Sequence, residues 1–129
     1  MPNIITPRKA LNKAYLKVKP VRSDIEVFKS NLIKLLEQVN HAEHEEFNKN
    51  VLADFLKNTF YSPDYYINIK ARNDLVIHNN KKASDSVGVI IEAKRSTNVS
   101  EMIRIENINN KALQELVLYY LRERISHKT

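Results

Sequence analysis

Two carboxylates and one ammonium in this sequence carry the spacing of a hydrolytic site. Glu92 and Lys94 close the apolar run Val87-Gly88-Val89-Ile90-Ile91, and Asp74 opens the run Leu75-Val76-Ile77-His78. Both runs are rich in β-branched residues and read as strands. Side chains two apart on a strand share a face, so Gly88, Ile90, Glu92 and Lys94 point the same way. A carboxylate and an ammonium at the end of a core strand are costly to bury unless they pair or hold a cation. A hairpin between the two runs sets the start of the first beside the end of the second, which brings Asp74 to Glu92. Such a trio suits metal-assisted hydrolysis of a phosphodiester. A hard cation such as Mg²⁺ takes carboxylate oxygens, water and substrate phosphate, and it neutralises the phosphate and helps ionise the attacking water. A lysine at its side can orient or deprotonate that water and offset charge in the transition state.

The elements around these residues must hold them in place. A third strand is expected at 65–70, joined to the Asp74 strand by Ala71-Arg72-Asn73, a link short enough only for an antiparallel turn. The polar stretch from Asn79 to Ser86 has hairpin length as well. Helices precede this meander. Thr6-Pro7 opens one with Leu11, Ala14, Tyr15 and Val18 on a single face, ended by Pro20. Ser23-Asp24-Ile25-Glu26 reads as a capping box for a second helix, which carries Ile25, Phe28, Leu32, Leu35, Leu36 and Val39. A third is expected over roughly 43–58, with an apolar arc of Phe47, Val51, Leu52, Phe55 and Leu56. Asn109 or Asn110 then caps a last helix, whose stripe Leu113, Leu116, Val117, Tyr120 and Leu121 is expected to be buried. The fold class is α/β (α+β): a small three-stranded antiparallel meander flanked by helices.

At these residues the chain resembles the PD-(D/E)xK nuclease superfamily. That signature is an acid opening one strand and an acid-x-Lys closing the next, here Asp74 and Glu92-Ala93-Lys94, with 17 residues between the two acids. The preceding helix, the meander order and the following helix agree with that family's core. A closer likeness is to the amino-terminal nuclease domain of single-chain type IIG restriction–modification enzymes. It is carried, in this order, by Lys49-Asn50-Val51-Leu52-Ala53-Asp54-Phe55-Leu56-Lys57, Asn73-Asp74-Leu75-Val76-Ile77-His78, Glu92-Ala93-Lys94-Arg95, and Asn110 to Leu116 through Leu121-Arg122-Glu123-Arg124. The likeness extends over roughly residues 25–126.

The resemblance implies a restriction-endonuclease-like core and cleavage of double-stranded DNA that depends on Mg²⁺, with Mn²⁺ able to substitute. Asp74, Glu92 and the Ala93 carbonyl would then bind the metal, and Lys94 would act on the nucleophilic water. It also implies fusion to methyltransferase and target-recognition domains in a longer, cytoplasmic bacterial protein that does not enter a membrane. Two departures matter. Asn73 stands where the family has proline, and the family's further strand after the last helix would fall beyond Thr129. The chain is therefore expected to be part of a longer protein and to lack the last core strand.

Many members of that family add a glutamate from the first core helix. Here Glu45 and Glu46 compete. At 100° per residue Glu45 falls within the arc of Leu52 and Leu56, facing the sheet, while Glu46 points nearly the opposite way. Both equally read as solvated acids at a helix start, favoured by the dipole. Gln114 is a candidate supporting residue near the start of the last helix. His41, His44, His78 and His127 have no metal spacing except that His41 and His44 are three apart; with no third ligand they read as surface histidines. Lys81 and Lys82 read as a solubilising hairpin tip, and the tyrosines from Tyr61 to Tyr66 as packing residues. Alone, Asp74 would be a turn residue and Glu92–Lys94 a structural ion pair; their convergence in this strand order favours a site.

What the chain lacks narrows the classes further. Its 129 residues include one glycine, no cysteine and no tryptophan. That excludes disulfides, thiolate metal sites, cysteine nucleophiles and the glycine-rich loops that cradle nucleotides. The net charge of +6 has a location: residues 1–22 hold Arg8, Lys9, Lys13, Lys17, Lys19 and Arg22 and no acid, whereas residues 23–129 hold 15 bases and 15 acids. Residues 1–22 read as a basic helix or arm, and 23–129 as a nuclease-like domain. A solvated face is the plain reading of the arm, and a phosphate-contacting segment the sharper one. The arm's bias to lysine and its lack of serine argue against a transit peptide. The alternative to an enzyme is a catalytically inactive nuclease-like domain that binds DNA through this arm or serves assembly.

Overall fold

Position 75 starts the most deeply buried element. The computed structural model describes residues 3–39, 44–69, 75–95 and 97–126. Within them, all four residues of Leu75–His78 (β2) are buried. β2 runs between Ile67–Asn68 (β1) and Val87–Ile91 (β3), antiparallel to both, in the order β1-β2-β3. Ile67 pairs with Ile77 and Asn68 with Val76; on the other side Leu75 pairs with Ile91, Val76 with Ile90 and Ile77 with Val89. The meander is the one expected, with shorter outer strands. Tyr66 extends β1 irregularly, its N–H donating to the Asn80 carbonyl at 2.8 Å and its own carbonyl accepting from His78 N–H at 2.8 Å. β3 ends at Ile91, opposite the first described residue of β2, so Glu92 and Lys94 follow the ladder instead of lying in it. The expected turn Ala71-Arg72-Asn73 lies outside the described residues.

Helices flank this sheet, and their details depart from the expected ones for local reasons. The arm forms only a four-residue helix, Pro7–Ala10 (α1), and a 3₁₀ turn at Tyr15–Lys17. Asn12 breaks the continuous helix: its side-chain oxygen accepts from Ala14 N–H at 3.0 Å and its carbonyl from Tyr15 N–H at 2.9 Å, a local turn that competes with helix propagation. The second helix spans Arg22–Gln38 (α2), with Val21 as N-cap. Asp24, not Glu26, reaches back, accepting from Val21 N–H at 3.3 Å. Ser23 thus lies inside the first turn, because the acid three residues past Val21 is the better placed to close it. Glu45–Leu56 (α3) runs into a π-type turn at Lys57–Tyr61. Phe28, Phe55 and Phe60 meet there edge-on or tilted, with ring centroids 6.0–6.2 Å apart, and join α2, α3 and the turn. Among the described residues no helix is long and apolar enough to cross a membrane.

The last helix, Lys111–Ser126 (α4), packs on β3. Its expected stripe is rotated. Ala112 is buried and Glu115, Leu116, Tyr119 and Glu123 are half-buried, whereas Val117, Tyr120 and Leu121 are each about half exposed (48%, 52% and 50%). A narrow sheet covers only part of the helix face, and the rest opens into a groove of about 680 Å³ between Val87, Gly88 and Ile90 of β3 and Leu116, Val117 and Tyr120 of α4. The whole chain exposes 10123 Å², against about 7,100 Å² for a close-packed monomer of its mass. The excess is consistent with an arm whose described residues are all exposed and with helices whose apolar faces are half-covered.

One histidine also departs from expectation. His78 is not at the surface: it is 1% exposed. Its Nδ1 donates to the Asp85 carbonyl at 2.7 Å, its Nε2 lies 2.9 Å from the Asn68 side-chain oxygen, and its ring meets Tyr66 at 5.6 Å. The imidazole therefore ties β1, β2 and the β2–β3 hairpin together. Substituting His78→Leu keeps the volume and removes the ring's partner contacts with the Asp85 carbonyl and the Asn68 side chain. It should cost about 2–3 kcal/mol, read as a lower urea midpoint at unchanged slope; a cost below about 0.5 kcal/mol would show that the network is not structural.

Candidate active site

The face of β3 that bears Gly88 and Ile90 is the one α4 covers, and the chain continues past Ile91 on that side. Lys94 ends there in a clamp. Its Nζ donates to Glu92 Oε1 and, at 2.5 Å, to Glu115 Oε2 of α4. The side chains of Lys94 and Glu92 are 8% and 4% exposed, and that of Glu115 is 27% exposed. The two-residue spacing in the segment just past β3 accounts for the first contact. The second is supplied by tertiary packing, because Glu115 lies 21 residues on from Lys94.

On its other side Lys94 lines a cleft of about 260 Å³, together with Ala93, Leu35 of α2, Val39 just past it, and Glu45, Lys49 and Leu52 of α3. Glu45 is half-buried in that wall. Glu46 turns outward and pairs with Lys49 at 3.2 Å. Helix geometry thus separates the two acids as their 100° offset requires. Glu92, Ala93, Lys94 and Glu45 are brought around one corner of the sheet. Asp74 lies outside the described residues; the residue after it, Leu75, pairs with Ile91, the residue before Glu92. Among the described residues no three acids or histidines converge closely enough to hold a metal. Gln114 is exposed and donates to Asn109 at 3.2 Å, away from the clamp.

Sequence reasoning missed Glu115 and Lys49. Lys49 is 8% exposed although it is a lysine in a helix; its position four residues after Glu45, on the same helix face, was the available signal. Glu115 follows the singled-out Gln114 and lies three residues after Ala112, hence on the sheet-facing side.

The clamp shifts both partners. Burial alone would pull Lys94 down, but its hydrogen bonds to Glu115 and Glu92, and the charges of both, outweigh burial and hold the ammonium well above its ordinary 10.5. The Lys94 hydrogen bond holds the Glu115 carboxyl below its ordinary 4.5; burial opposes this, and a hydrogen bond with Glu92 adds to it. A lowered carboxyl contributes stability that is present above its unfolded value and lost as pH falls through the folded one. A raised ammonium contributes stability that is present below its unfolded value and lost as pH rises through the folded one. Lys94→Met removes both contributions. The gap in urea midpoint between wild type and Lys94→Met should therefore be widest between about pH 5 and 10 and close below about pH 4. A gap independent of pH would refute the clamp as a source of stability.

Comparison with known proteins bears on family and not on chemistry. No curated protein and no solved structure matches the chain. Over residues 5–129, arm and sheet alike, it matches the family described as "Domain of unknown function (DUF7149)", and it belongs to that family.

Proposed function

We propose that this chain is a Mg²⁺-dependent DNA endonuclease domain of a restriction–modification protein, with a restriction-endonuclease-like core, acting on double-stranded DNA in a bacterial cytoplasm. Methyltransferase and target-recognition domains would accompany it in the full-length protein. The observation that carries the reading is the buried Glu92–Lys94 pair just past β3, at the end of the sheet where β2 begins after Asp74. Structural ion pairs are usually exposed, and a desolvated one beside a cleft is a site candidate on physical grounds.

The donor chemistry suits a hard cation. Asp74, Glu92 and the Ala93 carbonyl offer oxygens, and the described cleft residues include no cysteine or histidine. When bound, Mg²⁺ would neutralise the scissile phosphate and acidify a water. The chain's own groups do the rest. Asp74, just before β2, and Glu92, just past β3, would hold the cation. Lys94 donates a hydrogen bond to the water or the phosphate and balances the charge that develops on the phosphoryl oxygens. Glu45, on the α3 wall, is the additional acid that hydrogen-bonds water in the cleft. The water oxygen forms a bond to phosphorus, the bond from phosphorus to one sugar oxygen breaks, and that oxygen leaves with a proton.

Plasmid cleavage with Mg²⁺ or Mn²⁺ tests this directly. Lys94→Ala and Asp74→Ala should each slow cleavage by about 10²–10³ or more with circular dichroism unchanged. Purified protein that takes up neither ion, with variants that behave as wild type, would end the reading.

A second reading has its own observation. Every described residue from 3 to 21 is exposed, and six cations lie within residues 1–22. An inactive domain that binds DNA would draw its affinity from this arm. Removing residues 1–22 should then lower the slope of log affinity against log salt by up to about 5, measured by fluorescence anisotropy on a duplex. An unchanged slope would leave the arm without a role in DNA binding.

A further inference from the structure

The segment from Lys57 to Tyr66 carries four aromatic rings and no Val, Leu, Ile or Met. Packing is the expectation for its tyrosines, yet Phe60 is 57% exposed, Tyr65 46% and Tyr66 39%. Exposed rings in series, bordered by lysines, are the surface on which unpaired bases stack. We propose that this strip binds single-stranded DNA. It lies at the His78 end of β2, about 10 Å of strand from the Leu75 end near which the clamp sits. The choice of DNA over RNA rests on the endonuclease reading; the stacking does not.

The rings form a chain. Phe28 lies 6.2 Å from Phe60, Phe60 6.3 Å from Tyr61, and Tyr61 6.0 Å from Tyr65, centroid to centroid. The last two are edge-on contacts, at 71° and 86°, which fix each ring against the next while Phe60 and Tyr65 stay open to solvent. Backbone hydrogen bonds hold the segment. Ser62 N–H donates to the Lys57 carbonyl at 2.9 Å, Asp64 and Tyr65 N–H to the Tyr61 carbonyl at 3.0 and 2.8 Å, and Tyr66 N–H to the Asn80 carbonyl at 2.8 Å. The rings are thus preorganised, and the ordering cost of binding falls on the strand that docks.

The border has the charge that a phosphate chain needs. The Asn80 contact sets the hairpin tip, with Lys81 and Lys82, beside Tyr66. Lys81 pairs with Asp64 at 3.4 Å with both side chains well exposed, a pairing weak enough in water to be exchanged for a phosphate. The Asp85 carboxylate accepts from Lys82 N–H at 2.9 Å. With Lys57, three lysines therefore stand against Asp64 and Asp85. A protein partner fits less well: the cores of protein interfaces are depleted in lysine, aspartate and serine, and Lys57, Ser62 and Asp64 interleave these rings. A duplex fits less well too, because its bases are already stacked on one another.

Affinity for a short labelled oligothymidine, and for a duplex of equal length, is measured by fluorescence anisotropy on the full chain. Phe60→Leu with Tyr65→Leu keeps apolar bulk and removes two rings. It should weaken oligothymidine binding about tenfold or more and leave duplex binding unchanged. Tyr65→Phe should bind as wild type. Lys81→Gln with Lys82→Gln, at an exposed tip, should lower the salt slope for oligothymidine by up to about 1.4; it carries the test if the leucine variant fails to fold. The chain has no tryptophan, so stacking also reads out as quenched tyrosine emission, reduced in Tyr65→Leu. Equal losses for oligothymidine and duplex, wild-type affinity in the leucine variant, or an unchanged slope in the lysine variant overturns the inference. So does tighter binding of oligouridine than of oligothymidine, or self-association that the leucine variant abolishes while oligothymidine binding persists. If oligothymidine binds as expected and no DNA is cut, the inference stands and the endonuclease reading falls. If DNA is cut and the leucine variant binds oligothymidine normally, the reverse holds.

Discussion

A lysine ammonium cannot be left alone away from water, and that constraint organises one end of this sheet. At 8% exposure Lys94 has lost most of its hydration, which is costly unless fixed carboxylates replace it. One carboxylate, Glu92, comes with the strand. The second can come only from another element, so α4 must cross the sheet where Glu115 reaches Nζ. The anchors at Glu101 and Met102 and the burial of Asn110 and Ala112 all serve that placement. The rotation of α4 away from its apolar stripe follows from the same demand. A helix that turned Val117, Tyr120 and Leu121 fully onto β3 would carry Glu115 off the ammonium.

The rest of the fold supplies rigidity rather than bulk. Leu75, Val76 and His78 are the largest fully buried side chains, all in the central strand. β2 is pinned along one side by β1 and by the His78 hydrogen bonds, and along the other by four pairs to β3. The position where β2 begins and β3 ends is therefore set by a dense, well-bonded ladder. Helices α2 and α3 contribute more by geometry than by burial: they place one wall of the cleft, and the phenylalanine cluster locks them to each other. A site built at the end of a short rigid sheet, with acids delivered from two helices, needs little core. That agrees with a chain whose exposed area exceeds that of a close-packed monomer.

What was legible in the sequence was whatever depends on neighbours along the chain. The meander order, the extent of β2 and the body of α2 all follow from periodicity. The separation of Glu45 from Glu46 follows from helix pitch. What escaped depends on groups far apart or on small local competitions. Asn12 can extend a helix or turn it, and its side chain chose the turn. His78 sits at the end of a strand pattern where either face is open to it. Its burial is decided by the carbonyl of Asp85 and the amide of Asn68, each of them seven or more residues away. Glu115 has no periodic signature as a site residue, because a half-buried helix acid reads as solvated until its lysine is known.

Within the proposed chemistry, the clamp also discriminates between the two roles open to Lys94. A base must shed its proton, and the carboxylates that hold this ammonium oppose that loss. An ammonium so held is a directional donor: two of its protons are committed to carboxylates, and the third can be given to a water or a phosphoryl oxygen. Its positive charge then acts where negative charge grows, without the reorganisation that a mobile lysine would need. The proton of the attacking water would have to leave by another route, and the half-buried carboxylate of Glu45 on the facing wall is an acceptor already in the cleft. On this division of labour Lys94 and Glu45 are complementary. One stabilises charge and the other receives the proton, which explains physically why a cleft would keep a cation and an acid on opposite sides.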